Sequence, residues 1–206
     1  MNQPISKIDT VIFDLGNVLV DWSPSYLFDK LFHKKEERDY FLKNICTPEW
    51  HNVQDGGKNP TEATEEKVKE HPEWEHAIRA FYARWKEMFM GTIDGSVAIL
   101  QELKSKGYKL YALTNWNAEL FNQTIDDFPF LQLFDGKVVS GAVKKTKPGE
   151  DIYRHLLDKY HIDPVQALFI DDKEENIQTA EKLGIKGIQF KDPIQLRNEL
   201  QALGIL

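Results

Sequence analysis

Short apolar runs alternate with helical patterns along most of this chain, and this alternation limits the folds open to it. The runs are Thr10–Phe13, Leu110–Leu113, Lys137–Val139, Leu168–Ile170 and Gly187–Phe190. Helical patterns separate the last four runs, near Ala118–Ile125, Asp151–Tyr160 and Glu174–Leu183. Strands that alternate with helices are joined by crossovers, so the pattern predicts an α/β fold whose parallel sheet is covered on both faces. Ligands bind at the carboxyl ends of such strands, so the residues directly after the runs are the candidates for chemistry.

Residues 21–90 do not show this alternation and predict a helical insertion after the first strand. Asn59-Pro60 is typical of a helix start, and no strand is expected between Asp21 and Gly91. The main domain resumes at Asp94-Gly95 with a helix over Ser96–Lys106, so the core comprises residues 1–20 and 91–206. Seven apolar residues of the insertion recur at the spacing of one helix face: Trp74, Ile78, Phe81, Tyr82, Trp85, Met88 and Phe89. This spacing predicts that they pack in the core of the insertion, and the alternative is that they line a pocket.

Composition narrows the classes of partner. The 206 residues include 26 Lys+Arg and 33 Asp+Glu, a net charge of −7, which disfavours nucleic-acid binding and a polybasic membrane anchor. No apolar stretch reaches the roughly 20 residues of a membrane-spanning helix, and the amino-terminal residues do not resemble a signal peptide. Cys46 is the single cysteine, and the histidines form no zinc motif. We therefore expect a cytoplasmic protein that binds a small molecule, with no nucleic-acid or membrane partner.

Four segments with polar side chains follow the predicted strands: Asp14-Leu15-Gly16-Asn17-Val18, Thr114-Asn115, Lys147-Pro148 and Asp171-Asp172. Read singly, each has an ordinary explanation: turn chemistry or helix capping for the first, second and fourth, and a solvated basic loop for the third. At one sheet edge, however, they would combine an oxygen nucleophile, free backbone N–H groups, an ammonium and paired acids. Adjacent acids at the end of a buried strand repel each other unless a cation or hydrogen-bond donors compensate, and hard oxygen ligands beside an expected phosphate suggest Mg²⁺.

The order of these segments resembles the haloacid dehalogenase (HAD) superfamily. VIFDLGNVLVDW, LYALTNWNAELF, VVSG…KP and LFIDDKEENI are similar to the motifs of its phosphatases, and the resemblance covers nearly the whole chain. The first motif, Asp-Leu-Gly-Asn-Val, resembles glucose-1-phosphatase-like members. The resemblance implies a Rossmann-like core, a mobile type-C1 cap formed by residues 21–90, and a Mg²⁺-dependent phosphatase for small phosphorylated metabolites.

The matching positions imply a role for each site residue. Asp14 resembles the nucleophile that forms an aspartyl-phosphate. The implied Mg²⁺ ligands are Asp14, the Gly16 carbonyl and Asp172, with Asp171 as a water-bridged or outer ligand. The implied phosphate clamp is formed by Leu15, Gly16, Thr114, Asn115 and Lys147. Lys147 also screens the charge of Asp14.

Gly16 departs from the pattern of many HAD phosphatases, which carry an acid two residues after the nucleophile. That acid protonates the leaving group and activates water, a contribution of about 10²–10⁴-fold in rate. Its absence predicts a preference for leaving oxygens that are stable as anions, as in sugar 1-phosphates; the alternatives are that another group supplies the proton or that turnover is slow. It also leaves open a weakly catalytic or non-catalytic module that binds phosphorylated ligands. A metal-independent 2-haloacid dehalogenase is the other alternative, which the Asp171-Asp172 pair disfavours.

Substrate specificity is expected to lie with residues of the insertion and its junctions with the core. Asp21 and Trp22 stand at the predicted hinge, and Trp116 follows the phosphate clamp. Asp55-Gly56-Gly57 predicts a flexible polar loop that faces the site. Surface exposure or ordinary packing is an equally good explanation for each of these residues, and together they suggest a sugar phosphate.

Overall fold

The computed structural model describes residues 7–206. In chain order its strands are β1 (Thr10–Phe13), β2 (Val20–Trp22), β3 (Phe89–Thr92), β4 (Lys109–Thr114), β5 (Gly136–Val139), β6 (Ala167–Asp171) and β7 (Lys186–Gln189). Five of them form a parallel sheet in the order β5-β4-β1-β6-β7. The predicted α/β fold with a Rossmann-like parallel sheet is therefore confirmed. Residues 1–6, where the predicted core segment and the amino-terminal prediction begin, lie outside the described residues.

Both faces of the sheet are buried, as the continuous apolar runs predict. Side chains alternate across a strand, so successive residues of β1 enter different clusters. Val11 and Phe13 join the cluster that continues into the insertion. Ile12 joins the cluster on the other face, together with Tyr111 and Phe169. The central strand thus contributes apolar area to both layers of packing.

Eleven α-helices occur within the described residues. The insertion holds α1 (Pro24–Leu31), α2 (Lys35–Asn44), α3 (Pro48–Asp55), α4 (Pro60–Glu70) and α5 (Glu75–Ala83). The core holds α6 (Asp94–Ser105), α7 (Ala118–Thr124), α8 (Ser140–Val143), α9 (Glu150–Tyr160), α10 (Glu174–Lys182) and α11 (Pro193–Ala202). The side chain of Asn59 caps α4 as its sequence predicts, by accepting the N–H groups of Thr61 and Glu62. No helix in residues 7–206 has the length and hydropathy needed to cross a bilayer.

A two-stranded antiparallel ribbon forms the base of the insertion, where we expected no strand from Asp21 onward. β2 pairs with β3, with Val20 opposite Thr92 and Asp21 opposite Gly91. The prediction failed because three or four residues cannot display an alternating pattern. The pairing partner lies about 70 residues away, so only the tertiary fold brings the two segments together.

The aromatic stripe of the insertion does not form one continuous helix. α5 ends at Ala83, Trp85–Met88 forms a turn of 3₁₀ helix, and Phe89 belongs to β3. Ile78, Phe81 and Met88 are buried in the core of the insertion, as expected. Phe81, Trp85 and Phe89 also line a cavity above the sheet, so both explanations of the stripe hold for part of it.

Candidate active site

The carboxyl ends of three strands meet at one edge of the sheet, because β1 lies between β4 and β6. Asp14 directly follows β1, Thr114 ends β4 and Asp171 ends β6. A cavity of about 340 Å³ opens between this edge and the insertion. From the core it is lined by Asp14, Gly16, Thr114, Asn115, Lys147 and Asp172, among other residues.

Lys147 links two of the acids. Its ammonium Nζ lies 2.9 Å from Oδ2 of Asp14 and 2.6 Å from Oδ2 of Asp171, and its side chain is 1% exposed. The Asn115 side chain positions the Lys147 backbone, because its Nδ2 donates to the Lys147 carbonyl and its Oδ1 accepts the Lys147 N–H, each at 2.9 Å. The lysine is therefore a fixed buried cation rather than part of a solvated loop.

Asp171 is fully buried and accepts several hydrogen bonds. Its carboxylate accepts from Nδ2 of Asn176 at 2.9 and 3.0 Å and from the Lys173 N–H at 2.8 Å. Asn176 lines the cavity, and its other side-chain atom, Oδ1, is buried with no donor within the described residues. An acceptor buried without a donor is costly, so this oxygen is suited to face a cation or a cation-bound water.

Burial and mutual repulsion shape the charges of the site. Burial first and the charge of Asp171 second raise the pKa of Asp14 to about 7, against the lowering effect of Lys147. The pKa of Asp172 is also raised, by burial and then by Asp171. Burial lowers the pKa of Lys147, but Asp14 and Asp171 outweigh it, so the net shift is upward and the lysine stays charged. One ammonium thus compensates three acids incompletely.

A divalent cation fits this cluster. Asp14, Asp171 and Asp172 each offer a carboxylate oxygen, and the three oxygens lie within 4.8 Å of one another. Mg²⁺ prefers hard oxygen ligands and takes few protein carboxylates. The donor set, the incomplete charge compensation and the lone Asn176 oxygen all suit such an ion.

The turn after β1 holds its residues in a defined conformation. The Leu15 carbonyl accepts the N–H groups of Val18, Leu19 and Val20, and Asn17 adopts φ +56. The Leu15 N–H donates to Oδ1 of Asp14 at 2.7 Å, so here it orients the carboxylate instead of facing the cavity. The Leu15 side chain is fully buried.

Gly16 has room for a side chain. A Cβ placed on it would meet no heavy atom within 4 Å. Packing therefore does not explain the glycine at this position.

The four residues predicted for specificity occupy different surroundings. Trp22 and Trp116 line the cavity, whereas Asp21 accepts a hydrogen bond from Tyr26 Oη at 2.7 Å and lies outside the lining. Asp55 lines the cavity but is the last residue of α3 and 5% exposed, so the expectation of a flexible loop is wrong. Its carboxylate accepts the Asn117 N–H at 3.1 Å, which fixes it against the core.

His51 and Asn176 border the cavity but did not enter the predicted set of site residues. The sequence offers a signal for His51, because it precedes Asp55 by four residues and such residues share a helix face. For Asn176 the signal is its place in the first helical turn after the paired acids.

Comparison with known proteins identifies related sequences. Residues 11–190 match the family model for haloacid dehalogenase-like hydrolases. The sesquiterpene phosphatase astK of Aspergillus oryzae is 28% identical over 193 residues, which is 93% of this chain and 94% of the relative. The N-acylneuraminate-9-phosphatase of Mus musculus is 25% identical, covering 88% of this chain and 82% of the relative.

Solved structures share the fold. An HAD family enzyme of Bacteroides thetaiotaomicron, in a mutant complex with magnesium and inorganic phosphate, superposes with a TM-score of 0.70 at 22% identity, covering 90% of this chain and 95% of that one. A dehalogenase with an intermediate complex gives a TM-score of 0.66 at 16% identity, covering 91% and 87%. At these identities the likeness shows the fold alone, so the reaction must be argued from the residues of the site.

Proposed function

The chain belongs to the haloacid dehalogenase-like hydrolases, and we propose that it is a Mg²⁺-dependent phosphatase that hydrolyses small phosphate monoesters through an aspartyl-phosphate. One observation carries the proposal: the Lys147 ammonium is buried between Asp14 and Asp171, with Asp172 beside them at the cavity. The phosphatases among its relatives support the same reaction class.

In this proposal Asp14 is the nucleophile. One of its carboxylate oxygens bonds to phosphorus while the bond between phosphorus and the leaving oxygen breaks, and water later cleaves the aspartyl-phosphate. Lys147 provides a fixed positive charge for the transferring phosphoryl group, and Thr114 and Asn115 hold its oxygens. Backbone groups of Leu15 and Gly16 complete the clamp, which requires the Leu15 N–H to exchange its Asp14 partner for a phosphate oxygen.

Asp14, the Gly16 carbonyl and Asp172 would hold the Mg²⁺, with Asp171 as a water-bridged or outer ligand. When bound, the ion supplies positive charge that stabilises the phosphoryl oxygens in the transition state. The chain contributes the positions of these oxygens, and Lys147 and Asn176 restrain Asp171 beside them.

We further propose that residues 21–90 act as a type-C1 cap over a core of residues 1–20 and 91–206, as in the glucose-1-phosphatase-like subgroup. Support comes from the cavity, which has walls from both parts. Hydrogen bonds also join them, because Ser140 Oγ donates to the Asp55 carbonyl at 2.6 Å and Asn117 Nδ2 donates to the Gln54 carbonyl at 2.9 Å. A cytoplasmic location remains part of this proposal.

Metal dependence tests the proposal. We expect hydrolysis of an aryl phosphate to require Mg²⁺ and to stop in excess EDTA. Asp172→Asn should lower the rate about 100-fold or more, because a bound metal ion contributes several kcal/mol to transition-state stabilisation. Glu175→Gln, which removes an exposed acid from the first turn of α10, should be nearly neutral.

The same assay separates the alternatives. Full turnover in EDTA, or release of halide from a 2-haloacid, would contradict the phosphatase and favour a metal-independent dehalogenase. Binding of phosphate with no turnover of any ester would favour a module that only binds phosphorylated ligands. The buried acid cluster argues against the first alternative, and the intact Asp14 argues against the second.

The cavity wall favours a leaving group with a large apolar face. Trp22, Trp85 and Trp116 line it, and their indole N–H groups have no acceptor within the described residues. Aromatic walls with few polar groups suit an aryl or hydrocarbon alcohol, although sugar 1-phosphates remain candidates because aromatic rings also pack on sugar faces. The presence of a sesquiterpene phosphatase among the relatives supports an apolar leaving group.

This substrate preference predicts a specific mutational effect. Trp85→Leu should raise the KM of an apolar monophosphate about tenfold, because the loss of a buried aromatic contact costs on the order of 1–2 kcal/mol. Trp74→Leu is the matched control, because this tryptophan packs on Phe41 away from the cavity. Steady-state kinetics on an alkyl phosphate and on glucose 1-phosphate provide the comparison. A lower KM for the sugar, unaffected by Trp85→Leu, would contradict the apolar preference.

A further inference from the structure

The proposed reaction lacks a proton donor at the position where one is expected. The alcohol leaves as an unprotonated oxygen unless an acid is nearby, and Gly16 offers no side chain. Positioned acids and bases contribute about 10²–10⁴-fold to such steps. A titratable group elsewhere on the cavity wall could supply the proton.

His51 and Asp55 form a buried pair on that wall. They lie one turn apart on α3, and both line the cavity that contains Asp14 and Lys147. Nε2 of His51 lies 3.6 Å from Oδ2 of Asp55, and the side chains are 9% and 8% exposed. The pair thus combines burial with access to the cavity.

The hydrogen bonds around the pair define where its mobile proton lies. Tyr82 Oη donates to Gln54 Oε1 at 3.1 Å and lies 3.0 Å from His51 Nδ1. Because the hydroxyl has one proton, this network assigns the N–H of neutral His51 to Nδ1. Asp55 Oδ1 accepts the Asn117 N–H. The remaining titratable proton belongs to the facing atoms, His51 Nε2 and Asp55 Oδ2.

Burial and the neighbouring charges act on the pKa values of both groups. Burial lowers the pKa of His51, which Asp55 raises in turn. Burial raises the pKa of Asp55, which His51 and the Asn117 N–H lower. Lys173, at the core side of the cavity, lowers both pKa values. Tyr82, whose pKa burial raises, and Cys46 are further titratable groups of the insertion near the pair.

We propose that the Asp55–His51 pair on the insertion is the general acid and base of the reaction and replaces the acid that Gly16 does not provide. This inference rests on the proposed phosphatase function. As Asp14 bonds to phosphorus and the ester P–O bond breaks, the pair gives its proton to the leaving oxygen. The deprotonated pair then takes a proton from the water that attacks the aspartyl-phosphate, which releases phosphate and restores both groups.

This assignment differs from a purely structural role for Asp55. The insertion is also held to the core by backbone acceptors, since Ser140 Oγ donates to the Asp55 carbonyl and Asn117 Nδ2 to the Gln54 and Lys58 carbonyls. A substitution of the Asp55 side chain leaves these bonds in place. The pair also changes the expectation drawn from Gly16 alone, because the wild type then tolerates poor leaving groups.

The test compares esters whose leaving alcohols differ in pKa. We expect wild-type rates to depend weakly on leaving-group pKa. Asp55→Asn and His51→Gln should lower kcat for an alkyl phosphate about 10²-fold or more and that for p-nitrophenyl phosphate only a few-fold. Glu49→Gln, at an exposed position of α3, should change neither rate. Equal losses on both esters, or a steep wild-type dependence, would overturn the proposal.

Rescue and pH profiles distinguish chemistry from packing. Gly16→Asp in the Asp55→Asn background should restore alkyl-phosphate turnover, because the position has room for the side chain. The acid acts in its protonated form, so activity falls as pH rises through its pKa. Because Asp55 raises the pKa of His51, Asp55→Asn should shift this fall to lower pH. No rescue and an unmoved profile would contradict the assignment.

A failure of the proposed phosphatase function can be distinguished from a failure of the Asp55–His51 assignment. If the wild type does not hydrolyse even p-nitrophenyl phosphate with Mg²⁺, the phosphatase function is wrong and the pair has no such role. If the single variants do not fold, the slope of the wild-type leaving-group series decides, because it needs no substitution.

Discussion

Asp14→Asn is expected to abolish turnover, with kcat lowered by about 10⁴-fold or more, as is typical when a nucleophile is removed. An asparagine amide cannot accept the phosphoryl group. The fold should persist, because the amide oxygen can still accept the Leu15 N–H that Oδ1 accepts now. Steady-state assays with an aryl phosphate measure the loss, and circular dichroism verifies the fold.

A control variant and a binding measurement test whether the loss in Asp14→Asn is specific to the nucleophile. Asp126→Asn, an exposed acid in the core, should retain wild-type kinetics. Inorganic phosphate with Mg²⁺ should still bind Asp14→Asn, because the clamp does not depend on the nucleophile. Wild-type turnover in Asp14→Asn would show that covalent catalysis does not occur at this residue.

Lys147→Met is expected to damage both activity and stability. Its removal leaves Asp14 and Asp171 buried without their cation, and the loss of one partner of such a pair costs about 3–5 kcal/mol in the free energy of unfolding. Activity should fall about 10³-fold or more, because the fixed positive charge at the phosphoryl group is lost. Lys137→Met is the control, since that half-buried ammonium donates to the Leu131 carbonyl.

The stability loss should depend on pH in a defined direction. The pKa of Asp14 in the folded protein is raised from 3.8 to about 7, so its ionisation costs stability as pH rises through this range. Lys147 lowers that pKa, so its removal raises it further and enlarges the cost at alkaline pH. Urea unfolding without Mg²⁺ should therefore give a deficit that shrinks toward acid pH. A deficit independent of pH would indicate lost packing instead.

The core of the fold was predictable because its signals are local. The buried strands appear in the sequence as uninterrupted apolar runs, and β1, β4 and β6 lie within one or two residues of their predicted bounds. The ribbon of β2 and β3 was not predictable, since its strands are short and pair across the whole insertion. The end of α5 at Ala83 was also missed. The apolar pattern continues beyond it, because Trp85 and Met88 of the following 3₁₀ turn are buried as well.

The site was predictable to the extent that strand ends determine it. Asp14, Thr114 and Asp171 converge because their strands are neighbours in the sheet. From the apolar runs the sequence predicted only that the residues directly after the strands are the candidates for chemistry, not which strands are neighbours. The contribution of the insertion could not be derived in this way. Asp55 was placed in a flexible loop because Gly56-Gly57 suggested one, yet the helix continues to Asp55 and the core fixes its carboxylate. His51 became a candidate site residue only because the structure places its Nε2 beside the Asp55 carboxylate.

In the proposed reaction Asp14 carries the phosphoryl group during turnover. A rapid acid quench of a single turnover with Mg²⁺, followed by digestion and mass spectrometry, tests it directly. The peptide containing Asp14 should gain the mass of one phosphoryl group, hydroxylamine should remove it, and Asp14→Asn should never acquire it. Phosphate release with no phosphorylated peptide at any quench time, or with the phosphoryl group on another residue, would contradict Asp14 as the nucleophile.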